Sequence, residues 1–188
     1  KIGVELGLLG SFILSQALAK NNLSLNDVTM INVEQLSAEN QLSLENIAAM
    51  VTYPPFATEI LRQDSVNQIF STVEIPGDVI DVVVVRGNTL LNPTQWQQKL
   101  FSTWQRALDF AKSNPDEAYK IMAEREGVSV KEFLESLAGV SIIEKDQQLK
   151  TLHSTQLSDN ILKVCQTLNK IETHQNTCET ISSRISPL

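Results

Sequence analysis

Between Lys1 and Arg86, short β-branched runs alternate with stretches of helical periodicity, and no other feature limits the fold as much. KIGVEL (1–6) has the composition of a strand. Gly7, Gly10 and Ser11 then turn the chain into a stretch carrying Phe12, Ile13, Leu14, Ala17 and Leu18 at helical spacing. VTMINV (28–33) reads as a second strand, followed by a helix started by Ser37 and carrying Leu42 and Leu44. IAAMVT (47–52) reads as a third, stopped by Tyr53-Pro54-Pro55, and Pro55 opens a helix with Phe56, Ile60 and Leu61. Two further strands are expected at 66–70 (VNQIF) and 79–85 (VIDVVVV), with Ile75-Pro76-Gly77-Asp78 as the turn between them. Strand–helix–strand repeats with short loops give an α/β fold whose parallel or mixed sheet is flanked by helices. The four consecutive valines suit a strand covered on both faces.

The pattern changes at Gly87. Asn92-Pro93 places a capping residue before a proline at the first helical position. Trp96, Leu100, Trp104 and Leu108 follow at four-residue intervals, forming an apolar stripe joined by Phe101, Ala107 and Ala111. Asn114-Pro115-Asp116-Glu117 repeats the start signal, and Ser129-Val130-Lys131-Glu132 does so again after Gly127 ends the helix before it. A last helix is expected from about Ser154 to Lys170. The domain reading is an α/β ligand-binding lobe over 1–86, a helical segment over 87–170 and a polar tail over 171–188. Aromatic residues at helical spacing form core far more often than a cofactor box. The helices after Gly87 therefore need a partner, while the first half already has helices of its own. The expectation is a chain that begins inside a longer or processed protein, whose helices were built to cover a sheet upstream of Lys1. A fragment of that kind should self-associate.

Composition narrows the function. Hydrophobic residues make up 42% and charged residues 20%, which places the chain among folded globular proteins. Fifteen basic residues are scattered among 22 acids, for a net charge of −7, so no nucleic acid is expected as a partner and an anionic membrane surface is disfavoured. No apolar run approaches the ~18 residues of a membrane span. Cys165 and Cys178 leave two readings open, free thiols or a disulfide closing a small loop. Neither their spacing nor nearby histidines make a zinc site, so no metal and no cofactor are expected.

Two segments could carry chemistry. Glu5-Leu6-Gly7-Leu8-Leu9-Gly10-Ser11-Phe12 ends a strand, turns on glycines and starts a helix. The first-turn N–H groups and the positive end of the helix dipole suit a carboxylate, sulfonate, nitrate or phosphate. The alternative is an ordinary strand-to-helix turn with Ser11 as its cap. Thr52-Tyr53-Pro54-Pro55-Phe56 follows the third strand on the edge where strand C-termini open. There Tyr53 could stack on a ligand and Thr52 could hydrogen-bond to it, or both could simply close a turn. No catalytic residue is expected: His153 and His174 lie in the helical tail, and there is no Gly-x-Ser-x-Gly elbow or carboxylate pair in a strand-end loop.

KIGVELGLLGSFILSQALAKNNLSLNDVTMINV resembles the second lobe of the type II periplasmic binding proteins of the nitrate, sulfonate, taurine and thiamine-precursor group. IAAMVTYPPFATEIL and EIPGDVIDVVVVR resemble further segments of that family, as does the helix at Asn114-Pro115-Asp116-Glu117-Ala118, so the resemblance covers about Lys1 to Leu152. It implies a mixed sheet in one lobe, a helix-rich segment of the other, and a clamp that binds a small-molecule solute for the membrane subunits of an ABC importer. It also implies a periplasmic or other extracytoplasmic location. Gly10, Ser11, Phe12, Thr52 and Tyr53 fall where family members line the cleft. The first-lobe sheet is missing, and Pro54 and Pro55 stand where relatives carry acidic or polar residues, so the ligand's identity does not carry over. Two other functions share the fold: the sensing domain of a membrane signalling protein, and a thiamine-pyrimidine biosynthetic enzyme. The enzyme's cysteine-rich motif and active-site histidine are not reproduced by Cys165 and Cys178.

Overall fold

β1 (Ile2–Val4) is the central strand of a three-stranded sheet of order β2-β1-β3, with β2 (Met30–Asn32) and β3 (Ala49–Met50) on either side. Both pairings are parallel, setting Ile2 opposite Met30 on one side and opposite Ala49 on the other. The structure, a computed structural model, describes residues 1–86, 94–171 and Cys178. Among these the sheet is wholly parallel, one of the two arrangements expected from the residues, and not the mixed sheet that the resemblance implied. The α/β class stands.

Parallel neighbours require a crossover, and α1 (Leu9–Lys20) supplies the first. Its apolar residues Leu14 and Leu18 are buried with Val4, and Ile2, Leu25, Val28, Met30 and Val51 pack around them. Asn21 closes the helix through its backbone N–H, and a capping box between Ser24 and Asp27 sets the short 3₁₀ turn that leads into β2. Between β2 and β3 lie a 3₁₀ turn at Gln35–Ser37 and the six-residue helix α2 (Ala38–Ser43). α3 (Phe56–Ile60) follows β3 and buries Ile60.

The two further strands do not form. Residues 66–70 and 79–85 belong to no ladder, and Val83 and Val84 are 76% and 82% exposed. β-branched composition shows that a segment suits a pleated, half-buried surface; without a neighbour there is no strand.

The described residues divide into two compact units, the first made of Lys1–Val79 with the described residues from Thr151 to Cys178, the second of Ile80–Lys150. In the first, α8 (Thr155–Ile171) packs against α1. It also grips the turn before Val79: Asn160 donates to the carbonyl of Gly77, and Lys163 Nζ lies 2.6 Å from Asp78 Oδ2. Cys165 is bonded to Cys178, with Cα atoms 5.6 Å apart and both residues buried, which decides between the two readings of the cysteines.

In the second unit, α4 (Thr94–Ser113), α5 (Pro115–Glu126) and α6 (Val130–Leu137) pack in sequence order, and α7 (Lys145–His153) begins there and runs on past Lys150. Gly127 ends α5 at φ 72°, a conformation glycine adopts without strain. Ser129 and Glu132 form the expected capping box of α6. Asn114 precedes α5, but its side chain makes no capping bond. The Asn92-Pro93 signal and nearly all of the polar tail lie outside the described residues. Along the α4 stripe Trp96 and Leu108 are half-buried, whereas Leu100 and Trp104 are 43% and 47% exposed.

Candidate functional site

Because the three strands run parallel, their carboxyl ends share one edge of the sheet, and side chains leaving that edge are tied across it. The Asn32 side-chain oxygen accepts the Leu6 N–H at 3.1 Å. The Glu5 carboxylate accepts the Gln35 backbone N–H at 3.2 Å, and the Gln35 side-chain amide donates to the Val51 carbonyl at 3.2 Å. Residues following β2, β1 and β3 are thereby linked. Gln35 is only 6% exposed, and among the described residues neither its Oε1 nor the buried Thr52 hydroxyl has a hydrogen-bond partner. Both atoms are shielded, so a ligand group reaches them only if the edge opens. A buried polar atom without a partner costs free energy, which makes these two positions of interest.

The glycine turn has a specific form. Gly7 sits at φ 77°, Leu8 is the extended N-cap of α1, and no side chain caps the first turn. Ser11 is therefore not the cap. It lies inside α1, fully buried, and its hydroxyl donates to the Glu5 carbonyl at 3.4 Å. Gly10 serves a close approach of helix to sheet: a Cβ there would meet Val4 Cγ2 at 3.2 Å and Val51 Cγ1 at 3.6 Å. Phe12 is fully buried, with the Lys163 ammonium 5.6 Å from its ring centroid. Tyr53 is half exposed and meets Phe56 edge to face at 5.9 Å.

Five residues stood out in the sequence, and they separate into groups. Gly10, Ser11 and Phe12 form the root of α1 beyond β1, while Thr52 and Tyr53 lie beyond β3. A groove of about 390 Å³ lies on the other flank, beyond β2, lined by Ile31, Asn32, Val33, Glu34, Ser37 and Gln41. None of the five lines it. Asn32, Ser37 and Gln41 can donate and accept hydrogen bonds, and Glu34 offers a carboxylate to a donor or a cationic group. These are common polar residues in no recognisable spacing, and only the burial of Gln35 beside them marks the place.

Among the described residues no group of three or more His, Cys, Asp or Glu is placed to hold a metal ion, and no helix is long and apolar enough to cross a membrane. Compared with known protein families, curated proteins and solved structures, the chain has no significant match.

Proposed function

We propose that the chain is the solute receptor of an ABC importer, binding a small polar or anionic molecule at the carboxyl edge of its parallel sheet. The observation that supports this reading is a polar groove at the carboxyl end of β2, the strand next to β1, after which α1 starts with no side-chain bond from its N-cap. Open α/β sheets bind ligands outside their strand carboxyl ends. With the Ser11 N–H taken by the Leu8 carbonyl, the Leu9 and Gly10 amides and the helix dipole favour an anionic group, while Asn32, Ser37 and Gln41 supply hydrogen bonds to a polar molecule in the groove. The bond between Cys165 and Cys178 supports an extracytoplasmic setting, since disulfides persist in oxidising compartments. The finer architecture, a type II binding-protein lobe followed by part of its companion, belongs to the same proposal, with the importer's membrane subunits as partner.

Thermal unfolding of the whole chain in the presence of nitrate, sulfate, taurine or an aminopyrimidine tests the reading. A bound solute at a hundred times its Kd adds about 2.7 kcal/mol of stability and raises Tm. Gln41→Ala and Ser37→Ala, both on the groove, should weaken that shift while leaving unliganded stability nearly unchanged. No shift with any of the four probes would overturn solute binding of this class, and a shift indifferent to both substitutions would move the site away from the groove.

A further inference from the structure

Residues 80–86 (IDVVVVR) carry strand chemistry with no strand to join among the described residues. No described residue shares a backbone hydrogen bond with them, and Val82, Val83, Val84 and Val85 are 52%, 76%, 82% and 41% exposed. Four successive β-branched side chains and a row of amides with no backbone partner among the described residues form a template for another strand. The flanking charges say which one. Asp81 precedes the valines and Arg86 follows them, both exposed. We propose that Asp81–Arg86 is a self-recognition strand, pairing antiparallel with the same residues of a second copy of this chain.

In the register that sets residue 81 opposite residue 86, Asp81 of each copy faces Arg86 of the other, Val82 faces Val85 and Val83 faces Val84. Opposite-charge pairs close both ends of a ladder of valine pairs. A parallel pairing in register would stack Asp81 on Asp81 and Arg86 on Arg86, which like-charge repulsion disfavours. The register has a geometric corollary. Residues opposite each other in an antiparallel ladder point to the same face, so pairing an odd with an even position brings the odd face of one copy level with the even face of the other. No two-fold axis relates such copies, each strand keeps a free outer edge, and association continues past two molecules.

The test is sedimentation velocity of the 188-residue chain over a wide concentration range, with charge-reversed variants. The parent should self-associate. Asp81→Arg alone and Arg86→Asp alone each place like charges across the ladder, and each should lose association. An equimolar mixture of the two should regain it, as should the chain carrying both reversals. Far-UV circular dichroism checks that each variant stays folded. A parent that remains monomeric throughout overturns the proposal. So do single variants that associate as strongly as the parent, which would point to the apolar face of α4, and so does failure of the mixture or of the double reversal to restore association.

Discussion

Gln35 and Val51 are joined across the end of the central strand: the side-chain amide of one donates to the backbone carbonyl of the other at 3.2 Å. With the Gln35 N–H held by Glu5 at 3.2 Å, a residue from the β2 side fixes the spacing of all three strand ends. Gln35→Ala removes the side-chain bond and empties the space of a buried side chain. The expected loss is about 1–3 kcal/mol, measured by urea unfolding. Gln35→Leu loses the same bond but keeps apolar volume and removes the unpaired Oε1, so it should cost less than Gln35→Ala. Equal losses for the two would show that the orphaned oxygen carries no penalty.

A close approach governs Gly10. If Gly10 were open to a ligand, Gly10→Val would weaken binding and leave stability alone. The packing predicts otherwise, since a Cβ already sits 3.2 Å from Val4 Cγ2 and the valine methyls must displace the sheet or the helix. Overpacking of this kind costs about 1–3 kcal/mol, so Gly10→Val should lower Tm. Gly10→Ala needs a shift of only a few tenths of an ångström and gains helix propensity of about 1 kcal/mol, leaving it near neutral. A Gly10→Val protein as stable as the parent would show that the helix is free to move off the sheet.

In the second unit the Lys112 ammonium lies 2.5 Å from Glu144, and this hydrogen bond, aided by the charges of Glu144 and Asp109, raises the lysine pKa above its usual range. A raised folded pKa means that the pair's contribution is complete below the unfolded lysine pKa and is lost as pH rises through the folded one. Stability should therefore fall on the alkaline side. Lys112→Met should flatten that part of the profile. Unfolding midpoints across alkaline pH measure the difference, and superimposable profiles would remove the pair from the account.

Much of the first unit was legible in the sequence because its signals are local. The β-branched runs at 1–6, 28–33 and 47–52 each contain an observed strand, and the spacing of Leu14 and Leu18 marks the face α1 buries. Gly127 and Ser129 give the end of α5 and the start of α6 through backbone needs that one residue can state. The failures concern relations between distant segments. The valine run proclaims a strand, but no residue within it can say whether a neighbour exists. α7 (KDQQLKTLH) went unseen because its apolar residues are too few for a periodic stripe. At the sheet edge, the parallel pairing of β2 brings Asn32, Glu34 and Gln35 beside residues that follow β1, a proximity no spacing encodes.

The contact of α8 with α1 bears on how the molecule is made. The helix that completes the first unit is encoded after Ile80–Lys150 of the second, so a ribosome delivers those residues before the first unit can close. During synthesis, Val4, Leu14 and Leu18 can gather around the sheet, while the turn at Gly77 waits for Asn160 and Lys163 to emerge. Domains normally mature in the order of translation. Here the first unit to begin is the last to finish, and release of a chain truncated before Thr155 would leave it open.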